Sequence, residues 1–288
     1  MADPDWILPA PEVEAIVSGR HGDPFAVLGL HQAGKEWVVR AFVPGADELE
    51  VTDAEGKRLV WLPRRHAAGF FEGALPLSNR RQLGYLARNA GGSWRVADPY
   101  LLGPVLGPLD DYYIGEGNHL RLYDRLGAHP MRHEGHDGVH FAVWAPNASR
   151  VSVVGDFNGW DGRRHAMRKR RDTGVWEIFI PGAHEGQCYK YELLDAAGKL
   201  LPLKSDPFGF SAELRPKTAS KVARTDDFPW EDRAYLDRRR MTDQRRAPMS
   251  IYEVHLGSWR RWDDGRFLSY DELADTLIPY VADMGYTH

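Results

Sequence analysis

The stretch IYEVHLGSW, Ile251 to Trp259, decides how this chain is read. Ile251 to Leu256 is rich in β-branched and aromatic residues and is predicted to be a strand, which Gly257 and then Asp263-Asp264-Gly265 break. Ser269 stands three residues before Glu272, the capping-box spacing of a helix start. Leu273, Leu277, Val281 and Met284 follow as one apolar helical stripe, and Gly285 comes where helices favour a residue that tolerates positive φ. Tyr286-Thr287-His288 reads as the opening of a second strand. A strand, a helix and a strand start make the first repeat of an α/β barrel or doubly wound sheet. One such repeat cannot bury both of its faces. The chain therefore reads as the front end of something larger.

Upstream, two β-rich stretches repeat one another. The first runs through DPFAVLGLH, WVVRAFVPGADELEVTDAEG, GFFEGALPL and LGYLARNAGGSWRVADPY. The second runs through YDRLGAHP, HFAVWAPNASRVSVVGDFNGW, GVWEIFIPG and QCYKYELLDAAGKLLPLKSDPF. Leu28-Gly29 matches Leu126-Gly127, Pro44 matches Pro146, and Pro99 matches Pro207. Short alternating runs cut by Gly, Pro and Asp turns are the pattern of a small β-sandwich. Copies this long exceed the usual solenoid period of roughly 20–50 residues, so duplicated domains are expected.

IYEVHLGSWRR with LSYDELADTLIPYVADMGYTH resembles the first strand and helix of the catalytic barrel of 1,4-α-glucan (glycogen) branching enzymes, in glycoside hydrolase family 13. The second repeat, through VSVVGDFNGW, resembles a family 48 carbohydrate-binding module, and the first resembles the extra N-terminal domain of many bacterial branching enzymes. The fold expected is mostly β: two tandem immunoglobulin-like β-sandwich modules, then the first strand and helix of an incomplete (β/α)8 barrel. The expected boundaries are 1–118, 119–226, a charged and partly helical linker at 227–248, and the barrel start at 249–288. The resemblance implies a retaining transferase that cleaves α-1,4-glucan and rejoins it as an α-1,6 branch, with an Asp nucleophile and a Glu acid–base on later barrel strands. No catalytic residue is carried onto this chain, which alone is expected to be inactive. The alternatives are a non-catalytic glucan-binding protein and a debranching or trehalose-forming relative.

Composition bounds the rest. Of 288 residues, 37 are Lys or Arg and 41 Asp or Glu, a formal charge of −4 that gives no reason to expect nucleic acid or an anionic membrane as partner. Cys188, the single cysteine, has no internal disulfide partner, which fits a cytoplasmic location. The start MADPDWILPA has no basic run before an apolar core, as a signal peptide would. The expected partner is glycogen or another α-glucan, the expected state a monomer, and no cofactor or metal is implied.

The ten tryptophans read first as sheet-core residues and second as stacking surfaces for pyranose rings. Trp160, after the turn Gly155 to Gly159, matches the residue that stacks on glucose in glycan-sensing members of the module family, and Lys190 matches its lysine partner. The second aromatic of that site is missing, since Gly198 to Leu201 stand in its place. Glu253 and His255 share a strand face and are expected to support the active-site face of a barrel. His129, His133, His136 and His140 lack metal-ligand spacing and are read as a solvated loop. Arg163-Arg164, Arg168 to Arg171 and Arg238 to Arg240 are read as solvated faces. The acid pairs Asp110-Asp111, Asp226-Asp227 and Asp263-Asp264 are assigned to turns, because neighbours in a loop do not flank a glycosidic bond.

Overall fold

A computed structural model describes residues 4–170, 173–225 and 228–288, so the Asp226-Asp227 pair and Arg171 lie outside the described residues. The chain divides into two compact units, Met1–Asp226 and Asp227–His288. Among the described residues no helix is long and apolar enough to cross a membrane.

The first unit holds both repeats, each as two four-stranded antiparallel sheets. In the first, β1 (Gly29–Ala33), β2 (Glu36–Phe42), β6 (Phe70–Leu75) and β5 (Arg64–His66) make the order β1-β2-β6-β5. Facing it, β3 (Glu48–Thr52), β4 (Arg58–Leu62), β7 (Gly84–Asn89) and β8 (Gly92–Val96) make β4-β3-β7-β8. The second repeat uses β9 (Gly127–His133), β10 (His136–Trp144), β13 (Val175–Pro181) and β12 (Arg168–Arg170) in the order β12-β13-β10-β9, the same arrangement. Its other sheet is β11 (Arg150–Gly155), β14 (Cys188–Leu194), β16 (Ser220–Lys221) and β15 (Ser211–Ala212). Where the first copy has β4, the second keeps only the bridge Ser152–Ala166.

Alternation along the strands sends every second side chain between the sheets. Val39, Ala41, Phe71, Leu49, Val51 and Tyr85 fill the first core, and Val139, Phe141, Ile178, Val151, Val153 and Tyr189 the second. Of the tryptophans only Trp176 is fully enclosed, its Nε1 donating to the Ala145 carbonyl at 3.0 Å. The expectation that tryptophans fill the cores is thus corrected: slim β-branched and monocyclic side chains fit between two sheets about 10 Å apart, whereas an indole must also satisfy its N–H.

Each sandwich has a strap over the outer face of its first sheet. Helix α1 (Ala10–Val17) buries Val13, Ile16 and Val17 against Phe70, Leu28 and Tyr100. Helix α2 (Pro108–Gly115) and its flanks lay Leu106, Ile114, Leu122 and Leu126 on Ala142 and Val175. A buried glutamate fastens each strap. Glu72 Oε1 accepts from Leu8 N at 2.9 Å and Arg40 Nε at 2.7 Å. Glu177 Oε2 accepts from Val105 N and Leu106 N at 3.0 Å each and from His140 Nε2 at 3.1 Å. Arg170 binds Glu177 Oε1 at 3.3 Å and also grips Asp111 on α2. Arg168 lies 4.0 Å over the Phe25 ring. Arg168 and Arg170 therefore do not form a solvated face; neighbouring carboxylates and an aromatic ring offset the loss of water. The histidines, too, sit in the β9–β10 hairpin instead of a solvated loop, because Glu134-Gly135 alone suffices to turn the chain.

In the second unit, Ser269 and Glu272 form the expected capping box: Ser269 N reaches Glu272 Oε2 at 2.7 Å, and Glu272 N reaches Ser269 Oγ at 3.3 Å. Helix α5 (Tyr270–Asp283) follows and ends at Gly285, φ +77°. Leu273 is buried, Leu277 and Val281 are half-buried, and Met284 is exposed. The expected strand, Ile251 to Leu256, belongs to no sheet; its last residue begins the short helical turn α4 (Leu256–Trp259), and α3 (Arg233–Met241) lies earlier in the unit. The extended segment has one parallel-type contact, with His288 N donating to Ser250 O at 3.0 Å and Tyr252 N to His288 O at 2.8 Å. One rung is a strand's beginning; a sheet needs a continuous ladder.

Candidate functional site

Trp160 sits where β11 turns out of its sheet. A helical turn at Asp156–Asn158 leads to Gly159 and Trp160, both left-handed at φ +64° and +62°. For a bulky side chain this backbone is an outlier that persists only when neighbours over-determine it. They do: Asn158 Oδ1 accepts from Gly155 N at 3.0 Å and Trp160 N at 3.2 Å, while Asn158 Nδ2 donates to Val153 O at 2.9 Å. Asp156 then holds the indole Nε1 at 3.3 Å and ties to β14 through Cys188 N at 2.8 Å. The result is an indole that stays 39% exposed.

Beside it lies a depression of about 400 Å³, lined by Leu194, Gly198, Leu200, Arg163 and the paired Arg150 and Glu192, with Ser18 and Gly19 at its rim. Leu200, within the Gly198 to Leu201 stretch that lacks an aromatic, is 56% exposed. Lys190 does not line this depression. Its Nζ donates to Thr218 Oγ1 at 2.6 Å farther along β14. Of the two residues singled out for glucan, the structure sets Trp160 beside a cavity and turns Lys190 elsewhere.

Glu253 and His255 are both exposed, and His255 Nδ1 is bonded to Ser258 Oγ at 2.9 Å, at the start of the short helix. The acid pairs have local partners. Asp110 takes Gly107 N at 3.0 Å and Arg125 Nε at 2.8 Å, Asp111 holds Arg170, and Asp264 takes Arg266 N at 2.9 Å. The hairpin histidines spread to different partners: His129 to Leu126 O, His133 to Gly103 O, His136 to Gln82, and His140 to Glu177. Among the described residues no three His, Cys, Asp or Glu side chains gather as metal ligands.

Two segments match known families. Residues 9–100 match the alpha-1,4-glucan branching enzyme GlgB N-terminal domain, and residues 125–209 match carbohydrate-binding module 48, the isoamylase N-terminal domain. The chain is similar to the N-terminal part of GlgB. It is 60% identical over 285 residues to the 1,4-alpha-glucan branching enzyme GlgB of Rhizobium meliloti (strain 1021), a match covering 99% of this chain and 39% of that one. The GlgB of Mesorhizobium japonicum is likewise 60% identical over 285 residues, with the same coverage. The chain thus spans about two fifths of the length of the curated relatives it matches. Among solved structures, a pullulanase complexed with maltotetraose from Anoxybacillus sp. LM18-11 aligns at 14% identity and a TM-score of 0.30, covering 78% of this chain and 28% of that chain.

Proposed function

We propose that this chain is the N-terminal portion of a 1,4-α-glucan branching enzyme, a cytoplasmic monomer that cuts α-1,4 chains of glycogen and rejoins them as α-1,6 branches. Within it, residues 1–118 and 119–226 serve as two β-sandwich domains, 227–248 as a linker, and 249–288 as the start of the catalytic barrel. The second sandwich holds glucan at Trp160. The observation that carries this role is the left-handed backbone of Trp160, braced by Asn158 and Asp156 while its ring stays open to solvent. Backbone strain kept beside an exposed aromatic supports a ligand contact over a packing role. Lys190 contributes only if it leaves Thr218, and Glu253 and His255 support the barrel face in the longer protein.

The test is glycogen-gel electrophoresis of the chain alongside iodine-detected branching of amylose. Retardation without branching is expected. Trp160→Gly should abolish retardation with no loss of thermal stability, since glycine accepts φ +62° freely. Branching by this chain alone would overturn the assignment of catalysis to later segments. A Trp160→Gly protein that melts early yet still binds glycogen would make the indole a packing residue.

A further inference from the structure

A cavity of about 250 Å³ lies mainly in the first sandwich and shares no lining residue with the depression at Trp160. Its walls are carbon: Leu83, Leu86, Val96, Leu101 and Leu102, with Pro181 from the second sandwich. An apolar void of roughly 150 Å³ takes benzene, so this one has room for a ring with substituents.

Some of its polar groups are engaged and some are not. Gln82 Nε2 lies 2.7 Å from His136 Nε2 and 3.5 Å from the Glu134 carbonyl, so the amide donates to both. Asp53 Oδ1 accepts from Lys57 N at 2.7 Å within its own turn. Three groups are left. Arg95 is exposed and makes no hydrogen bond or ion pair among the described residues. Its guanidinium stands over Gly56, where an added Cβ would come 3.2 Å from Arg95 Nη2. Both residues line the cavity, so the cation sits at its mouth. At the floor, Tyr85 is 2% exposed, and its hydroxyl and Asp98 Oδ2 are buried without a hydrogen-bond partner.

The fold does not require that orphaned pair. In the second copy the hydroxyls of Tyr189 and Tyr191 on β14 satisfy Asp206, whereas β7 carries Tyr85 and then Ala87 in place of a second tyrosine. A buried polar group left unpaired costs stability, and the cost falls on the copy whose pair borders a cavity. Burial pushes Asp98 up to about 7, so in mildly acid solution its carboxyl keeps a proton and does not repel an anion held at the mouth.

Each part of the lining selects something different. An unpaired guanidinium favours a carboxylate, and a single cation suits a single negative charge. The leucine walls favour an apolar body. The floor suits one hydroxyl, which can both donate and accept. A sugar fits poorly, since most of its hydroxyls would be stranded on carbon.

We propose that this cavity binds a small monocarboxylate with a largely apolar body and one hydroxyl at its far end, the carboxylate on Arg95 and the hydroxyl between Tyr85 Oη and Asp98 Oδ2. The site is separate from Trp160 and does not depend on the glucan reading.

The experiment is calorimetric titration of the 288-residue chain with three probes. They are para-hydroxyphenylacetate, phenylacetate, which lacks the hydroxyl, and tyrosol, which has an alcohol in place of the carboxylate. The first should bind about tenfold more tightly than either of the others, the worth of one hydrogen bond to a buried or charged group. Tyr85→Phe should erase its advantage over phenylacetate, and Arg95→Gln its advantage over tyrosol. Both variants should melt as the parent does, since one loses an unpaired hydroxyl and the other changes an exposed side chain. If no probe binds, or if either variant keeps the parent's preference, the proposal falls. Competition by maltotetraose would make the cavity a sugar site and likewise overturn it. Trp160→Gly, which tests the glucan reading, should leave binding of para-hydroxyphenylacetate unchanged, and a loss there would place the probe at Trp160 and sink the cavity assignment.

Discussion

Asp98 and Asp206 occupy matching places, each before a proline and each accepting from the amide two residues on, Tyr100 N at 3.0 Å and Phe208 N at 2.8 Å. The second copy completes the arrangement, with Tyr189 and Tyr191 hydroxyls donating to Asp206 Oδ2 at 2.7 and 3.1 Å. In the first copy Asp98 Oδ2 and the Tyr85 hydroxyl are both buried without completing a hydrogen bond. Burial accordingly raises Asp98 from 3.8 to about 7. The folded protein then holds this proton more tightly than the unfolded chain, so unfolding releases it between about pH 4 and 7. The contribution of Asp98 to stability must fall as pH rises through that window and level off above 7. Asp98→Asn keeps the acceptor for Tyr100 N and carries no charge. Its stability relative to the parent should be least at pH 4, grow towards pH 7 and plateau beyond, as read from urea midpoints across pH. A difference independent of pH would mean that Asp98 ionises as it would in water. The repeated prolines were legible in the sequence, but the tyrosine–aspartate pairing was not. It depends on which of several tyrosines the pleat turns inward.

At the level of elements, what was legible is what is local. The Ser269–Glu272 capping box and the glycine closing α5 were readable because partners three residues apart meet in any helix. Ile251 to Leu256 reads as strand by composition, yet a strand exists only through a neighbour, and the described residues supply one rung. Helix α1 carried a signal that could have found it, Pro9 and Pro11 ahead of Val13, Ile16 and Val17 at helical spacing. The straps leave no such mark, since Glu177 looks like any polar residue on an alternating strand. Burial alone would raise it, but its bonds with His140, Leu106 N and Arg170 prevail and hold it below the usual carboxylate range. Glu177→Ala should cost about 3–5 kcal/mol in chemical denaturation, because it strands the buried His140 and two backbone amides. The α2 segment should lose exchange protection before the sheets do. A loss of less than about 1 kcal/mol, the scale of exposed pairs, would mean water replaces the carboxylate there.

Across the whole molecule, the duplication was legible and its seam was not. Repeats announce themselves by recurring turns, whereas the way two finished sandwiches meet depends on Phe25 and Tyr100, neither unusual where it stands. The second unit differs in kind from the first. Leu273 is its one fully buried hydrophobic among the described residues, while Tyr270 and Ile278 on the same helix, and Met284 just past it, are exposed. Few buried contacts mean a low free energy of opening. Amides of α5 should therefore exchange well before those of β10 and β13, and equal protection would show that the helix gains support from elsewhere in solution. Gly29 holds a last consequence. It opens the strands of the first sandwich with its backbone pressed against the carbonyl of Tyr100, just past that sandwich's last strand, at φ +95°. Entry and exit thus meet at a single point there; in the second copy Gly127 meets the carbonyl of Phe208 in the same way, at φ +104°, with β15 and β16 still to follow. A unit whose two ends touch can be copied or cut out like a bead on a thread, leaving scarcely a gap to bridge, and that makes the architecture easy to lengthen or shorten one domain at a time.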